Sequence, residues 1–463
     1  MRKRVLPVLL CGLLLGCAVG PEYRRPAADI PERFRGAAVP ETSGPDNVSL
    51  GDRKWWEIFR DETLQELIRT ALRENDDVRI AAARVAQARE RVGLARADEL
   101  PSISGAASSE RQRNPQQVFL PAFETGVYRM NLSLSWELDF WGKYRRATES
   151  ARADLLTAEW ARQAVLSSLV SDVAGAWLRL RELDLELAIA KRTLASRRES
   201  LRLVRLEEEH GAVSMLDVRQ AEQLVFTSGE TVPELERRIG QQENLIRTLL
   251  GKSPGDVPRG TATEQPLPPE VPAGVPSSLL ERRSDIRRAE EELIAMNARI
   301  GVAKAAWFPR IALTADGGYQ STALSALFSG PAQMWNIGGG LTQPIFEGGR
   351  IRSNVRLAEA RREEASAAYR QAIRQAFRDV SDALISRRKF REFREQQEQL
   401  TRSAEEATRL SNLRYKGGAA GYLEVLDGET RQFSAELTLA QARLNEQLAF
   451  VQLYKALGGG WQP

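Results

Sequence analysis

Residues 127–139 alternate between apolar and polar side chains. The apolar positions are Tyr128, Met130, Leu132, Leu134, Trp136 and Leu138, and the polar positions are Arg129, Asn131, Ser133, Ser135, Glu137 and Asp139. A period of two predicts a β-strand, because successive side chains of a strand point to opposite faces. An apolar face with an aromatic residue near each end is typical of a strand that spans an outer membrane. A strand of a soluble sandwich alternates in the same way.

Most of the remaining chain has the pattern of long helices. Residues 142–209 contain no proline, and a helix of that length would measure about 100 Å. Its apolar stripe has the alternating spacing of four and three residues that is typical of a coiled-coil seam, at Leu166, Val170, Val173, Trp177 and Leu180. A turn at 210–213 separates this helix from a second one, predicted from about Asp217 to Leu250 with Pro233 as a kink or junction.

The same pattern occurs twice. Residues 285–309 repeat 77–101 at an offset of 208, and Gly418 repeats Gly211 at an offset of 207. The second copy of the seam also lies at an offset of 207, at Ile373, Phe377, Val380 and Leu384. One register held over this length indicates a tandem duplication. Each repeat should contain a helix, two strands, a very long helix, a turn and a helix, with strands at 102–112, 126–139, 310–320 and 334–343.

The predicted organisation has six parts. They are a signal peptide at 1–16, an N-terminal arm and short helix at 17–75, repeat 1 at 76–250, a proline-rich linker at 251–283, repeat 2 at 284–457 and a C-terminal tail at 458–463. The four strands of one chain cannot close a barrel, and open strand edges cannot face lipid. Strands in a membrane would therefore require several chains; two would give a filled barrel of eight strands and three a barrel of twelve with a lumen.

The N-terminus has the features of a secretory signal. Arg2-Lys3-Arg4 precedes the apolar run 5–15, which is too short to span a membrane as a stable helix. The run ends in Leu14-Leu15-Gly16-Cys17, which resembles a bacterial lipobox, and we expect Cys17 to be lipidated. The alternative is ordinary cleavage that leaves a free thiol. Cys11 would be lost with the signal, so we expect no intrachain disulfide.

The composition excludes several kinds of function. The net charge is +4, and removal of the three basic residues in the signal leaves 4 − 3 = +1, so we expect no nucleic-acid partner. The chain contains a single histidine, His210, and no Ser/His/Asp set, metal cluster or phosphate loop is recognisable. We therefore expect neither an enzyme nor a cofactor other than the lipid. A periplasmic lipoprotein scaffold is the competing class, and the alternation with flanking aromatic residues at 127–139 argues against it.

Taken together, the chain resembles the TolC/OprM-like outer-membrane efflux channels, in their lipoprotein (NodT-type) branch. The motifs that carry the resemblance are Leu15-Gly16-Cys17-Ala18-Val19-Gly20-Pro21, Trp55-Trp56 with Phe59, 271–276 running to Glu281-Arg282-Arg283-Ser284-Asp285-Ile286, Phe346-Glu347-Gly348-Gly349-Arg350, Tyr422-Leu423-Glu424-Val425-Leu426-Asp427 and Leu457-Gly458-Gly459-Gly460-Trp461. Ser284 replaces the proline usual in the family, which bears on linker geometry.

The resemblance implies an α+β membrane protein of a Gram-negative bacterium. Three chains would form a twelve-stranded β-barrel in the outer membrane, in contact with its lipid and continued by a long α-helical coiled-coil barrel that extends into the periplasm. The partners would be a periplasmic membrane-fusion adaptor and an inner-membrane pump of the RND type, and the channel would conduct the exported substrates passively.

The resemblance also implies site residues near the turns that join the helices. A periplasmic gate would involve Asp217, Tyr415, Glu424 and Asp427. The adaptor would dock on turns containing Gly211, Ser214, Gly418 and Gly421. Three copies of each acid would form an acidic ring that favours cations. Helix capping is the alternative for Asp217, because Ser214-x-x-Asp217 has the form of a capping box.

Overall fold

The computed structural model describes residues 18–27, 30–36, 50–115, 122–259 and 276–460. The predicted signal peptide, Cys17 and residues 260–275 of the predicted linker lie outside these ranges. Within them, the helices are α1 (Trp55–Ile58), α2 (Glu62–Glu74), α3 (Asp76–Ala97), α4 (Lys143–Glu209), α5 (Met215–Leu249), α6 (Leu279–Arg282), α7 (Ser284–Ala305), α8 (Arg350–Lys416) and α9 (Tyr422–Ala456). The strands are β1 (Ser102–Asn114), β2 (Phe123–Glu137), β3 (Arg310–Ser321) and β4 (Gln333–Thr342).

The tandem duplication is confirmed at the level of whole elements. Helices α3 and α7 each have 22 residues, α4 and α8 each have 67, and α5 and α9 each have 35. The first pair starts at positions 208 apart, and the other two pairs start at positions 207 apart. The two repeats thus build the same series of helix, two strands, long helix and helix.

A kink or a junction was expected at Pro233, and the junction is not observed, because α5 continues through this position as one helix from Met215 to Leu249. A proline ring inside a helix crowds the carbonyl of the residue four positions earlier. That residue is Gly229, whose backbone is not restricted by a side chain and can adjust. The helix also begins two residues before Asp217, because Ser214 is its N-cap.

The chain divides into two compact units. The strand unit contains the residues up to Ala27, Arg84–Glu159 and Arg288–Arg370, and the helix unit contains Ala28–Ala83 and the residues from Trp160 to Arg287 and from Gln371 onward. Among the helices of the described residues, none is long and apolar enough to cross a membrane.

The strand unit contains one antiparallel sheet in the order β1-β2-β3-β4. Residues paired across neighbouring strands lie on the same face of a sheet. One face has rows of apolar residues, such as Ile103, Leu134, Ala315 and Ile337, and the other has polar rows, such as Ser104, Ser133, Asp316 and Asn336. The alternation seen at 127–139 therefore extends across the whole sheet.

The apolar face of this sheet is uncovered in the single chain. Leu132 is 63 % exposed, Trp335 77 % and Ile337 75 %. A contiguous apolar surface of this kind indicates a site that meets lipid or another protein. On the polar face, the Arg129 guanidinium donates to Gln320 and the Ser133 hydroxyl donates to Asp316. Such hydrogen bonds suit a face in contact with water.

The core of the helix unit follows the predicted seam. Val170, Val173, Trp177 and Leu180 are fully buried in α4, and the seam residues Ile373, Phe377 and Val380 are buried in α8. The Trp177 indole donates a 2.8 Å hydrogen bond to Asp61, whose carboxylate also accepts from the backbone N–H groups of Thr63 and Leu64. The Asp61 carboxylate thus caps α2 and accepts the hydrogen bond of the buried Trp177 indole.

Candidate functional site

Two turns of the same design join the long helices of the helix unit. Gly211 and Gly418 adopt φ values of +73° and +70°, in the left-handed region that favours glycine. The residues after them close the helices, since Ala212 N–H donates to the Glu207 carbonyl at 2.8 Å and Ala419 N–H donates to the Arg414 carbonyl at 2.9 Å. This is the Schellman arrangement of a helix C-terminus. Both glycines are therefore needed by the turn itself.

The following helices begin with different caps. Asp217 accepts hydrogen bonds from the Ser214 backbone N–H at 3.0 Å and from the Ser214 hydroxyl at 2.7 Å. The capping box of α5 is thus formed, and its acid also suits the positive end of the helix dipole. Gly421 is the N-cap of α9. Capping accounts for the position of Asp217 in one chain.

The other two predicted gate acids each have a basic partner. Glu424 lies 3.3 Å from Arg414 across the turn. Asp427 lies 2.8 Å from Arg431, one helical turn further along α9, and both side chains of this pair are largely exposed. Exposed pairs of this kind contribute little to stability, so both acids can exchange partners at small cost.

Tyr415 makes the most specific polar contact at the turns. Its hydroxyl donates to the carboxylate of Glu207, and its ring lies 5.3 Å from the ring of Tyr422. Partial burial, together with the Glu207 carboxylate, raises the pKa of the Tyr415 phenol above its usual range. The phenol therefore stays protonated and remains a donor at neutral pH. The contact joins the last turn of α4 to the last turn of α8.

An apolar cluster lies under this contact. Its buried members come from α4, α5 and α9, namely Leu201, Val204, Val218, Ala221, Tyr422, Val425 and Leu426. Tyr415 packs against the cluster from α8. The four helices that meet at the turns thus share a small apolar core, with the Tyr415–Glu207 contact at its edge.

Sequence reasoning named Tyr415 but missed Glu207. The available signal was the run of three acids, 207–209, at the end of a long helix. Acids are unfavourable at a helix C-terminus, so a run of them there suggests a specific use. Among the described residues, no group of three or more His, Cys, Asp or Glu side chains could hold a metal ion.

The segment that follows Cys17 is fixed to the strand unit, although Cys17 itself lies outside the described residues. Val19 N–H donates to the Trp141 carbonyl at 2.9 Å, and the Asn297 amide donates to the Pro21 carbonyl at 2.9 Å. Arg25 forms two hydrogen bonds, at 2.5 and 2.7 Å, to the buried carboxylate of Glu290. Val19 is therefore held close to the start of α4.

Comparison with known proteins identifies the class. The profile of the Outer membrane efflux protein family matches residues 67–252 and 275–459. The chain is 36 % identical over 470 residues to the toluene efflux pump outer membrane protein TtgF of Pseudomonas putida, covering all of this chain and 98 % of that protein. It is 35 % identical over 468 residues to the antibiotic efflux pump outer membrane protein ArpC of Pseudomonas putida, covering all of this chain and 96 % of that protein.

A solved structure indicates the same class of protein as these relatives. The open-state MtrE outer membrane channel of Neisseria gonorrhoeae superposes with a TM-score of 0.87 at 31 % identity, covering 96 % of this chain and 99 % of that one. This chain belongs to the outer membrane efflux protein family. It is the outer-membrane channel component of an efflux system, and the expected fold class is confirmed.

Proposed function

We propose that three copies of this chain form a passive conduit that receives substrates from a periplasmic adaptor and an RND-type inner-membrane pump. The observation that supports this most is the sheet, which has one apolar face, one polar face and an open edge on β1 and on β4 within the described residues. Strand edges are not tolerated in lipid. Twelve strands from three chains would close them around a water-filled lumen lined by the polar face.

The relatives differ in the substrates for which they are named, toluene for one and antibiotics for another. We infer that the inner-membrane pump selects the substrate and that this chain, which is not an enzyme and needs no cofactor, conducts what it receives. The turns containing Gly211, Ser214, Gly418 and Gly421 are proposed to dock the adaptor. The glycines at 211 and 418 would also be needed to end the helices if no adaptor docked there.

The mass of the purified protein tests the assembly and the anchor together. Native mass spectrometry in detergent should give three chains. Mass measurement of the denatured chain should show a start at Cys17 with added acyl groups, and Cys17→Ala should lack that added mass. A stable monomer in detergent would refute the barrel, and an unmodified N-terminal cysteine would refute the anchor without affecting the barrel.

Tyr415→Phe tests the proposed gate at the turns. Because the substitution removes one charge-assisted hydrogen bond, worth about 1.5 to 3 kcal/mol, we expect a rise of about tenfold or more in the open probability of a mostly closed channel in planar-bilayer recordings. Glu207→Gln should act in the same direction. Tyr454→Phe is the matched control, since it removes a hydrogen bond to the Arg53 carbonyl elsewhere in the helix unit. If Tyr415→Phe and Tyr454→Phe have the same open probability, then the Tyr415–Glu207 contact does not gate the channel.

The same recordings test the acids. We propose that three copies each of Asp217, Glu424 and Asp427 face the lumen and favour cations. Asp427→Ala, alone or with Asp217→Ala, should therefore lower the cation selectivity of the channel. The reversal potential under a salt gradient measures this directly. A reversal potential unchanged from that of the unmodified protein would assign these acids to helix capping and surface ion pairs alone.

A further inference from the structure

The β1–β2 hairpin extends further than the rest of the sheet. Helices α3, α4, α7 and α8 all connect to one end of the sheet. At the opposite end, the last pair between β2 and β3 is Tyr128–Ser321, whereas β1 and β2 continue to the pair Asn114–Phe123. We call the segments 110–114 and 123–127 the hairpin tip. They project past the end of β3, on the side of the sheet away from the helices.

Two arginines of the hairpin tip lie on the apolar face of the sheet. Tyr128 belongs to that face and pairs with Ser109 of β1. Side chains on one face recur every two residues along a strand, so Arg111 and Arg113 follow on the same face. Arg113 is paired with Glu124 across the hairpin. The apolar face of the first hairpin thus ends in two basic residues.

The height of these arginines matches the headgroup level of a membrane. The apolar face runs from Leu138 to Tyr128, a distance of about 33 Å along the strand. In a barrel whose strands tilt by about 40°, this corresponds to about 25 Å along the membrane normal, the usual height of the apolar band. On the same reckoning, Arg111 and Arg113 lie about 5 and 10 Å beyond that band. Both guanidinium groups are therefore placed where lipid headgroups begin.

Acidic residues of the chain offer these arginines little. Arg111 lies 2.9 Å from Glu124, but the two side chains are 80 % and 50 % exposed, and such a pair is weak. Arg113 forms no ion pair with any residue that the structure describes. The segments 114–123 and 321–333, at the ends of the two hairpins, contain no charged residue in the sequence. A neighbouring copy would therefore supply no carboxylate from either segment.

The second hairpin indicates that the sheet itself does not need basic residues there. At the offset of 208, the counterpart of Arg111 is Tyr319, whose ring lies 5.7 Å from the ring of Phe328. Aromatic residues at this level are the common solution for a strand that crosses a membrane. The two hairpins are copies of one unit, and only the first has arginines on the apolar face of its tip. This difference points to a use that is specific to the first hairpin.

We propose that Arg111 and Arg113 bind phosphate groups of lipopolysaccharide, the phosphorylated glycolipid of the outer leaflet. The proposal rests on the proposed function, because it requires the apolar face to meet the lipid of the outer membrane. A guanidinium group matches the geometry of a phosphate and can contact it with two parallel hydrogen bonds. Residues two apart on a strand are separated by about 7 Å, so both arginines can contact one headgroup.

Lipid binding by the full-length protein tests the site. Native mass spectrometry in detergent counts the molecules of bisphosphorylated lipid A bound to each assembly, with dephosphorylated lipid A as the comparison. Arg113→Gln should lower the affinity for the phosphorylated lipid several-fold. Adding Arg111→Gln should bring the loss to about tenfold or more, because two charge-assisted contacts are removed. Glu124→Gln should raise the affinity, since it removes a competing carboxylate, and a misfolded variant would not show such a gain.

Arg129→Gln is the matched control for Arg113→Gln. It removes one charge from the same hairpin, but Arg129 lies on the polar face, where it donates to Gln320, and its loss should leave lipid binding unchanged. Equal losses in the two variants, or equal binding of the dephosphorylated lipid, would overturn the site in a preparation whose mass is trimeric. Unchanged binding by the double variant would overturn it as well. A monomeric mass would instead overturn the proposed assembly, and the site with it.

Discussion

Replacing Arg283 with methionine is expected to lower the stability of the helix unit by about 1 to 3 kcal/mol, the usual cost of leaving hydrogen-bonding groups without their partner. The side chain of Arg283 is 11 % exposed. It donates to Asp285 at 2.7 and 3.0 Å, to Asp379 at 3.0 Å and to the Ala456 carbonyl at 3.0 Å. Methionine would fill much of the space but would remove the guanidinium donor from both carboxylates and from the carbonyl, although Asp379 would keep the 2.7 Å hydrogen bond from the Gln375 amide.

Arg202→Met is the matched control for this prediction. Arg202 pairs with Glu199 at 2.7 Å on the surface, with both side chains more than half exposed, and its loss should leave the stability nearly unchanged, as is usual for exposed ion pairs. Thermal unfolding in detergent, followed by circular dichroism, compares the two variants. Similar melting temperatures for them would show that the Arg283 contacts do not hold α7, α8 and α9 together. Adding Asp379→Asn to Arg283→Met should recover part of the lost stability, because it removes the charge of one carboxylate that Arg283 contacts.

Glu182→Gln is expected to stabilise the protein at alkaline pH. Burial, reinforced by the neighbouring Glu186, raises the pKa of the Glu182 carboxyl from 4.5 to about 8. The folded chain therefore holds a proton that the unfolded chain releases between these two values, so this carboxyl costs stability as pH rises from about 4.5 to 8. At about 1.4 kcal/mol per pKa unit, the cost above pH 8 is on the order of a few kcal/mol.

Glutamine keeps the size and hydrogen-bonding groups of the protonated acid and cannot ionise. The variant should match the unmodified protein near pH 5 and melt at a higher temperature at pH 9. Glu199→Gln is the control, because Glu199 is exposed and its pKa is lowered by the Arg202 guanidinium. If the melting temperatures of Glu182→Gln and the unmodified protein differ by the same amount at pH 5 and pH 9, then Glu182 is ionised in the folded state at both values.

Some features were predictable because they depend on residues close together in the chain. The alternation at 127–139 requires only that one face of a strand meets an apolar environment. The cap formed by Ser214 and Asp217 spans three residues, and the duplication is visible as a fixed offset. Element boundaries were less accurate. Of the kink or junction expected at Pro233, the junction does not occur, since the cost of an interior proline depends on how the neighbouring backbone can adjust.

Partners far apart in the chain could not be assigned in this way. Tyr415 was singled out from the sequence, but its partner Glu207 lies 208 residues earlier. Arg283 belonged to a recognised motif, and its contacts with Asp379 and Ala456 depend on how α8 and α9 pack. The sequence by itself determined the elements, their repetition and the two faces of the sheet, because each follows from local periodicity. Which side chains meet across different helices was decided only by the tertiary structure, since packing of the apolar seams sets the relative position and rotation of the helices.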